Sequence, residues 1–353
     1  MRIYRRIISL FLSLTLLFAV SCNSSENPVK VNDKNESDKL RIGVCFDSFV
    51  IERWQRDRDV FVSMAKELGA EVNVQNANGD VETQKNQINY FVDEKMDAIV
   101  IIAIDGFNLT EEVTRAKDAG IYVIAYDRLI CNANVDLYIS FDNYRVGELM
   151  GQALVDAGLV NSNVLMLGGS ESDNNVVFVE DGFINVMENN GNTIVDSIHC
   201  TNWRAELASE YVRENPDVVS NCTAIMCGND NLASQVVPAL AEMRLAGKTM
   251  VVGQDADLEA CQRIVEGTQL MTVYKPVERL AQRTATLTIM LINKQDISGE
   301  DGYQLINDGK YDVPYIALEP VMVTAENMDE VIINSGFHLR EDVYLNIPDS
   351  DEE

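Results

Sequence analysis

From Leu40 to about Lys294 the chain alternates short apolar runs with amphipathic segments, and this alternation limits the possible folds more than any other feature. The runs, such as Ile42–Phe46 and Ala98–Ile104, are apolar throughout rather than at every second residue. Strands of that kind are buried on both faces, as in a parallel sheet covered by helices on both sides. The segments between them, for example Leu232–Ala246, carry their apolar residues on one face at helical spacing. We therefore predict an α/β fold with parallel sheets.

The predicted strands are too numerous for one compact sheet. They are Ile42–Phe46, Val72–Gln75, Ala98–Ile104, Tyr122–Tyr126, Tyr138–Phe141, Val164–Leu167, Thr193–Ile198, Ala224–Cys227, Met250–Gly253 and Met271–Tyr274. The alternation breaks at Tyr138–Asn143, and again after Lys294, where loops lead to the extended Tyr315–Val323 and a predicted helix over Ala325–Ser335. We interpret the breaks as crossings between two lobes. The first lobe would comprise residues 40–142 plus 277–318, and the second residues 143–276 plus 319–346.

The N-terminus has the pattern of an export signal. Three arginines precede the apolar stretch Ile7–Val20, and those 14 residues would form a helix of about 21 Å, shorter than a bilayer core of roughly 30 Å. The run Ala19-Val20-Ser21-Cys22 resembles a bacterial lipobox, in which the Cys is acylated; a plain secretory signal with an incidental Cys is the alternative. We predict a lipoprotein signal peptide over residues 1–21, lipidation of Cys22, a flexible tether over 22–39 and an acidic tail over 347–353. The protein would then be exported, in the periplasm or at the cell surface, and held to a membrane by its lipid anchor only.

Charge and histidine content exclude several classes of function. With 28 Lys+Arg against 56 Asp+Glu, the net charge of −28 opposes binding to nucleic acid or to an anionic membrane surface. The two histidines, His199 and His338, are far apart and in no metal-ligand spacing. The sequence contains no Walker P-loop, GxGxxG, GxSxG or HExxH motif. We expect no cofactor, no metal ion and no catalysis, although a carboxylate pair of the glycosidase type stays possible.

Six cysteines follow Cys22, and their pairing is left open by the sequence. Cys45 and Cys227 lie inside apolar strands, which favours buried free thiols. The other four could pair in an exported protein.

Polar and charged residues follow six of the predicted strands, at the edge where open parallel sheets bind ligands. They are Asp47 with Arg53-Trp54, Asp127-Arg128, Asp173-Asn174-Asn175, Asn229-Asp230, Gln254 to Asp257, and Lys275. Helix capping explains a single Asp or Asn but requires no Arg or Lys. Carboxylates accept hydrogen bonds from hydroxyls, Arg and Lys donate to them, and the two tryptophans, Trp54 and Trp203, offer flat apolar faces to a sugar ring. The pattern predicts a site for a neutral polyol.

Six segments carry a resemblance to a known family. They are VIERWQRDRDVF, AYDRLI, DLYISFDNYRVGEL, GGSESDNN, GQDADLEACQRI and GTQLMTVYKP. They resemble the ribose/galactose-type periplasmic substrate-binding proteins of sugar ABC importers, and among these the D-xylose-binding members, from about Arg41 to Gly336. The resemblance implies two Rossmann-like lobes joined by a three-stranded hinge, the type I periplasmic binding protein fold, closing over one monosaccharide.

The resemblance also implies which residues contact the sugar. They are Arg53, Trp54, Asp127 and Arg128 from the first lobe, and Asn175, Trp203, Asn229, Asp255 and Lys275 from the second lobe and hinge. Trp203 would stack on the ring, and Asp127 and Asp255 would accept from hydroxyls. The sequence departs from the family at Glu180, where a basic residue is usual.

The implied function is delivery of a monosaccharide, D-xylose foremost, to an ABC permease by a monomeric receptor. A sugar-sensing subunit that signals to a chemoreceptor or histidine kinase is the main alternative. A LacI-type regulator shares the two-lobed fold, but it requires a DNA-binding helix-turn-helix and a cytoplasmic location. An enzyme is the remaining alternative.

Overall fold

The computed structural model describes residues 39–49 and 53–347. The predicted signal peptide, Cys22, the tether up to residue 38 and the tail from residue 348 lie outside the described residues. Within those two ranges, no helix combines the length and the apolar character needed to cross a membrane.

The first part of the chain alternates strands and helices as predicted. Its elements are β1 (Leu40–Phe46), α1 (Arg53–Glu67), β2 (Ala70–Asn76), α2 (Val81–Asp93), β3 (Ala98–Ile101), α3 (Thr110–Asp118), β4 (Tyr122–Tyr126) and β5 (Leu137–Phe141). The middle part repeats the pattern. It contains α4 (Asn143–Asp156), β6 (Asn163–Gly168), α5 (Asn175–Asn189), β7 (Thr193–His199), a 3₁₀ turn (Thr201–Trp203), α6 (Ala205–Glu214), α7 (Pro216–Ser220), β8 (Ala224–Cys227), α8 (Asp230–Glu242), β9 (Met250–Val252), α9 (Leu258–Val265) and β10 (Thr272–Tyr274).

The last part of the chain contributes to both lobes. It comprises α10 (Val277–Ile292), β11 (Tyr303–Asn307), β12 (Asp312–Leu318), β13 (Val321–Val323), a π-helical turn (Asp329–Ile333) and α11 (Arg340–Val343). The first lobe holds a seven-stranded sheet in the order β11-β12-β5-β4-β3-β1-β2, parallel except for β11. The second lobe holds the parallel sheet β7-β6-β8-β9, and one bridge between Val252 and Met271 attaches the antiparallel pair β10-β13.

Both main sheets are buried on their two faces, which explains their continuous apolar strands. In β3, Ala98 and Val100 pack into one hydrophobic core, while Ile99 and Ile101 pack into the core on the opposite face. The second sheet divides in the same way, with Val164 in one core and Leu165 in the other. The predicted α/β fold with two lobes is confirmed.

The chain passes between the lobes three times, after β5, after β10 and after β12. Helix α4 packs in the core of the second lobe through Val146 and Met150, and α10 returns to the first lobe through Leu280 and Ala281. We propose that these crossings, at 142/143, 276/277 and 318/319, are the lobe boundaries.

Two local predictions near the C-terminus are wrong. The segment that forms strand β11 was expected to be a loop. The sequence does not reveal this strand, because its residues are mostly exposed and it is an antiparallel edge strand that pairs only with β12. The helix predicted over Ala325–Ser335 is reduced to the π-helical turn Asp329–Ile333. The side chain of Asn327 accepts a hydrogen bond from the Thr324 N–H at 2.8 Å and donates one to the Met322 carbonyl at 2.9 Å. These bonds hold the first residues of the predicted helix in a turn instead.

The six cysteines of the described region are all free and buried. This agrees with the interpretation of Cys45 and Cys227 as core thiols. The other four cysteines, whose pairing the sequence left open, are buried free thiols as well.

Candidate ligand-binding cleft

A cavity lies between the lobes, at the carboxyl ends of the strands of both sheets; the space free of protein atoms there, with the solvent at its mouth included, is about 510 Å³. All nine residues expected to contact a ligand line it: Arg53, Trp54, Asp127, Arg128, Asn175, Trp203, Asn229, Asp255 and Lys275. The structure thus brings together residues that are up to 222 positions apart, and their contact with a sugar stays a prediction.

Strand ends place the polar side chains of the cavity. Asp127 directly follows β4 of the first lobe and Lys275 directly follows β10 of the second lobe, and both side chains line the cavity between the lobes. Asp127 and Asp255 have φ angles of 63° and 98°, in the left-handed region that non-glycine residues rarely adopt. Such strain is found at sites where the surrounding structure fixes a side chain for function.

The two tryptophans form walls of the cavity. Trp54 is buried in the first turn of α1, with the Arg53 guanidinium 4.4 Å from its ring centroid. Trp203 ends the 3₁₀ turn and lies against Gly169, where a Cβ atom would be 2.2 Å from its ring. Both indole N–H groups are buried and have no hydrogen-bond partner among the described residues.

Each Arg and Lys in the cavity wall forms an ion pair with an aspartate. Arg53 lies 2.8 Å from Asp127, and Lys275 lies 2.7 Å from Asp255. Arg128 bridges Asp47 at 2.6 Å and Asp173 at 2.8 Å. The pair Arg128–Asp173 joins the two lobes. All of these side chains are largely buried, so the pairs are weakly screened by solvent.

The ion pairs determine the pKa of each buried group. Burial would raise the pKa of Asp127, but Arg53 and Lys275 outweigh that effect and lower it below the usual value. Burial would lower the pKa of Arg53, but Asp127 and Asp57 raise it well above the ordinary value. These two groups therefore stay charged throughout the physiological pH range.

Several cavity residues were missed or were not assigned to the site. Asp173 and Gln254 stood in the polar clusters after strands, and Asn143 has the same signal, two residues after the end of β5. Val176, Val179 and Met226 complete the wall, and their sequence pattern is that of ordinary core residues.

Glu180 also lines the cavity, so the departure from the family pattern lies in the site itself. Its Oε2 lies 3.1 Å from Nε2 of His199, while its Oε1 is buried without a hydrogen-bond partner among the described residues. Burial raises the pKa of Glu180, and the hydrogen bond with His199 opposes that effect.

Within the described residues, no group of His, Cys, Asp and Glu side chains is placed to hold a metal ion. What the cavity offers is a set of fixed donors and acceptors with two aromatic faces. Two α/β lobes that meet at such a cavity define the class of type I substrate-binding proteins.

The comparisons with known proteins agree with this class. Residues 42–296 match the model of the periplasmic binding protein domain, and the chain belongs to this family. The D-xylose-binding periplasmic protein of Haemophilus influenzae is 39% identical over 314 residues, which cover 87% of this chain and 93% of that protein. The D-xylose-binding periplasmic protein of Escherichia coli is 40% identical over 306 residues, with 85% and 91% covered.

Solved structures show the same architecture. An ABC transporter solute-binding protein from Clostridium phytofermentans with bound β-D-glucose superposes with a TM-score of 0.77 at 28% identity, covering 86% of this chain and 99% of that chain. A periplasmic solute-binding protein from Actinobacillus succinogenes with bound D-allose superposes with a TM-score of 0.73 at 23% identity, covering 83% of this chain and 100% of that chain, and shares its fold. The resemblance predicted from the six segments is confirmed, and so is the expectation of a binding protein rather than an enzyme, because the relatives are sugar-binding transport components. The periplasmic location of the relatives supports the predicted export.

Proposed function

We propose that this protein binds a neutral monosaccharide, D-xylose, outside the cytoplasm and delivers it to an ABC permease. The observation that carries the proposal is the pairing of each Arg and Lys of the cavity wall with an aspartate. A wall whose cations are already paired provides no free cation for an anionic ligand. It does provide charged hydrogen-bond donors and acceptors, which bind hydroxyls with about 1.5–3 kcal/mol each.

The choice of D-xylose is supported by the two relatives named for this sugar, at about 40% identity over most of the chain. The nine lining residues carried over from the family support it as well. In this proposal Trp203 stacks on the sugar ring, and Asp127 and Asp255 accept hydrogen bonds from its hydroxyls.

Transport is favoured over sensing because the solved relatives include solute-binding proteins of ABC transporters. A sensory subunit would use the same closure of the lobes but present it to a chemoreceptor or histidine kinase. Stimulation of a reconstituted cognate permease ATPase by the sugar-loaded protein would support transport, and stimulation only of a receptor or kinase would support sensing.

Acylation of Cys22 would hold this monomeric receptor at the membrane surface. Replacement of Cys22 by Ser should release the protein from the membrane fraction, and mass spectrometry of the wild type should show an acylated N-terminal cysteine. A wild-type protein cleaved elsewhere and released without lipid would contradict the anchor.

Calorimetry and thermal unfolding with a panel of sugars test the ligand. We expect D-xylose to bind with micromolar or tighter affinity and to raise the melting temperature more than D-ribose, D-glucose or L-arabinose. A ligand present at 100 times its Kd stabilises the folded state by about 2.7 kcal/mol, which is easily detected. Equal or absent shifts for all four sugars would contradict the proposal.

A further inference from the structure

Glu180 differs electrostatically from the other carboxylates in the cavity wall. The side chains of Asp127, Asp173 and Asp255 each lie within 2.8 Å of an Arg or Lys nitrogen. Among the described residues, Glu180 has no Arg or Lys within the 4.0 Å ion-pair distance, and its partner is His199. The charge of Glu180 is therefore not offset by a permanent cation.

Strand pairing fixes the position of this carboxylate. Gly168 and His199 are register partners at the ends of β6 and β7, and both contact Glu180. A Cβ atom at position 168 would lie 2.1 Å from Oε1 of Glu180, so a glycine is required for the carboxylate to occupy this place. With 12% of its side chain exposed, Glu180 is held against the cavity wall.

Helix α5 presents Glu180 to the cavity together with Val176, four residues earlier on the same face, and with the adjacent Val179. The two valines are apolar, so they compete neither for the carboxylate nor for a polar ligand group beside it. Since His199 engages Oε2, the buried Oε1 is the acceptor that has no hydrogen-bond partner within the described part of the chain. An ionised carboxylate accepts hydrogen bonds and cannot donate them.

We propose that Glu180 is a specificity-determining residue of the cleft: Oε1 accepts a hydrogen bond from a sugar hydroxyl, and the negative charge, which no Arg or Lys of the described residues offsets, excludes sugars that carry a carboxylate or a phosphate. His199 positions the carboxylate through Oε2. This inference rests on the proposed function, because it requires a sugar in the cavity. Specificity of this kind combines attraction of the correct ligand with repulsion of a wrong one.

The test compares Glu180→Gln with Glu171→Gln in the full-length protein. Glu171 is a matched control, because it lies 3.7 Å from the other nitrogen of His199 but is 81% exposed and does not line the cavity. Both variants remove one negative charge beside the same histidine. D-xylose, D-glucose and D-glucuronate are the probes, because they share the arrangement of ring hydroxyls and differ at C5 in having no substituent, a hydroxymethyl or a carboxylate.

We expect Glu180→Gln to raise the Kd for D-xylose at least tenfold, whereas Glu171→Gln changes it less than twofold. Glu180→Gln should also increase the ability of D-glucuronate, relative to D-glucose, to compete with D-xylose at least tenfold. Glu180→Asp keeps the negative charge, but its shorter side chain places the carboxylate farther from the sugar. This variant should therefore weaken D-xylose binding and still exclude D-glucuronate. This second variant also serves if Glu180→Gln does not fold.

An unchanged D-xylose Kd in both Glu180 variants would overturn the inference, and so would an equal loss in Glu171→Gln. Unchanged competition by D-glucuronate in Glu180→Gln would overturn the charge exclusion. If the wild type binds none of the sugars, the proposed function fails. If the wild type binds D-xylose and the Glu180 variants behave like it, this inference alone fails.

Discussion

The side-chain amide of Asn175, the first residue of α5 in the second lobe, donates a hydrogen bond at 2.8 Å to the backbone carbonyl of Asp127 in the first lobe. The hydroxyl of Tyr138 donates to Oδ1 of the same amide at 2.9 Å. Asn175 is therefore bonded to the opposite lobe through both of its polar atoms, next to the proposed sugar site. Both hydrogen bonds therefore join the two lobes across the cleft.

Replacement of Asn175 by Ala should weaken sugar binding by shifting the lobes toward an open state. Buried polar groups left without partners cost about 1–3 kcal/mol, which corresponds to roughly a 5- to 150-fold higher Kd. Calorimetry with D-xylose measures the affinity, and small-angle scattering at saturating sugar should show a larger radius of gyration than in the wild type. Asn189→Ala, at the exposed end of the same helix, is the matched control and should change neither quantity. Wild-type affinity in Asn175→Ala would show that these bonds do not contribute to closure.

A methyl group at Gly169 should displace Trp203, because a Cβ atom there would be 2.2 Å from the indole ring. We expect Gly169→Ala to raise the Kd for D-xylose at least tenfold and to shift the tryptophan emission spectrum, while the far-ultraviolet circular dichroism stays unchanged. Gly299→Ala is the control, since no atom lies within 4 Å of its Cβ position. Retention of wild-type affinity and emission in Gly169→Ala would remove Trp203 from the proposed binding wall.

Asp255 and Lys275 should be coupled in both stability and binding. They form a buried ion pair at 2.7 Å, and removing one partner leaves an uncompensated charge, at a cost of about 3–5 kcal/mol. Asp255→Asn, which suits the left-handed backbone, should lower the free energy of unfolding and raise the Kd for D-xylose about 10- to 100-fold. Adding Lys275→Met should restore part of the stability but not the affinity.

Chemical denaturation of the two single variants and the double variant measures this coupling. Glu82→Gln, which breaks an exposed pair with Lys85, is the control and should cost less than about 1 kcal/mol. Additive effects of the Asp255 and Lys275 substitutions would contradict an energetic coupling.

Stability should depend on pH through Asp230. Burial raises its pKa to about 7, against the hydrogen bonds from Thr272 and Gln269. In the unfolded chain the pKa of this carboxyl group is about 3.9. Between about pH 3.9 and 7 the folded protein therefore binds one proton more than the unfolded chain, and the free energy of unfolding falls as the pH rises. Asp230→Asn removes this dependence, and we expect the difference in melting temperature, variant minus wild type, to increase from pH 4 to pH 7.

The corresponding control is Asp296→Asn, because Asp296 is exposed and does not have a raised pKa. The difference in melting temperature, Asp296→Asn minus wild type, should not increase from pH 4 to pH 7. Parallel pH profiles for Asp230→Asn and the wild type would show that Asp230 ionises normally in the folded protein.

The fold could be predicted in detail wherever burial on two faces leaves a continuous apolar run. Strand β8 has this property and has the predicted bounds, and β3 begins at the predicted residue, Ala98, but ends three residues before the predicted Ile104. Strand β11 could not be found in this way, because its stability comes from pairing with β12 rather than from burial of its own side chains. The turn before Asp329 depends on side-chain bonds of Asn327, which helical periodicity does not reveal.

The candidate site could be predicted as a set of residues but not as a network. The polar clusters after the strands indicated Asp127 and Lys275 because each residue directly follows the carboxyl end of its strand, a relation fixed by local order along the chain. Asn143 has the same signal but was taken as part of a crossing between lobes.

Local sequence specified the alternating elements, the apolar cores and the strand ends at which polar side chains collect, because these depend on periodicity and on neighbouring residues. It did not specify which charges meet. Arg53 pairs with Asp127 across 74 positions, and Glu180 faces His199 instead of a lysine or arginine. Those contacts depend on strand register and on how the lobes face each other, and both are set by long-range packing of the folded chain.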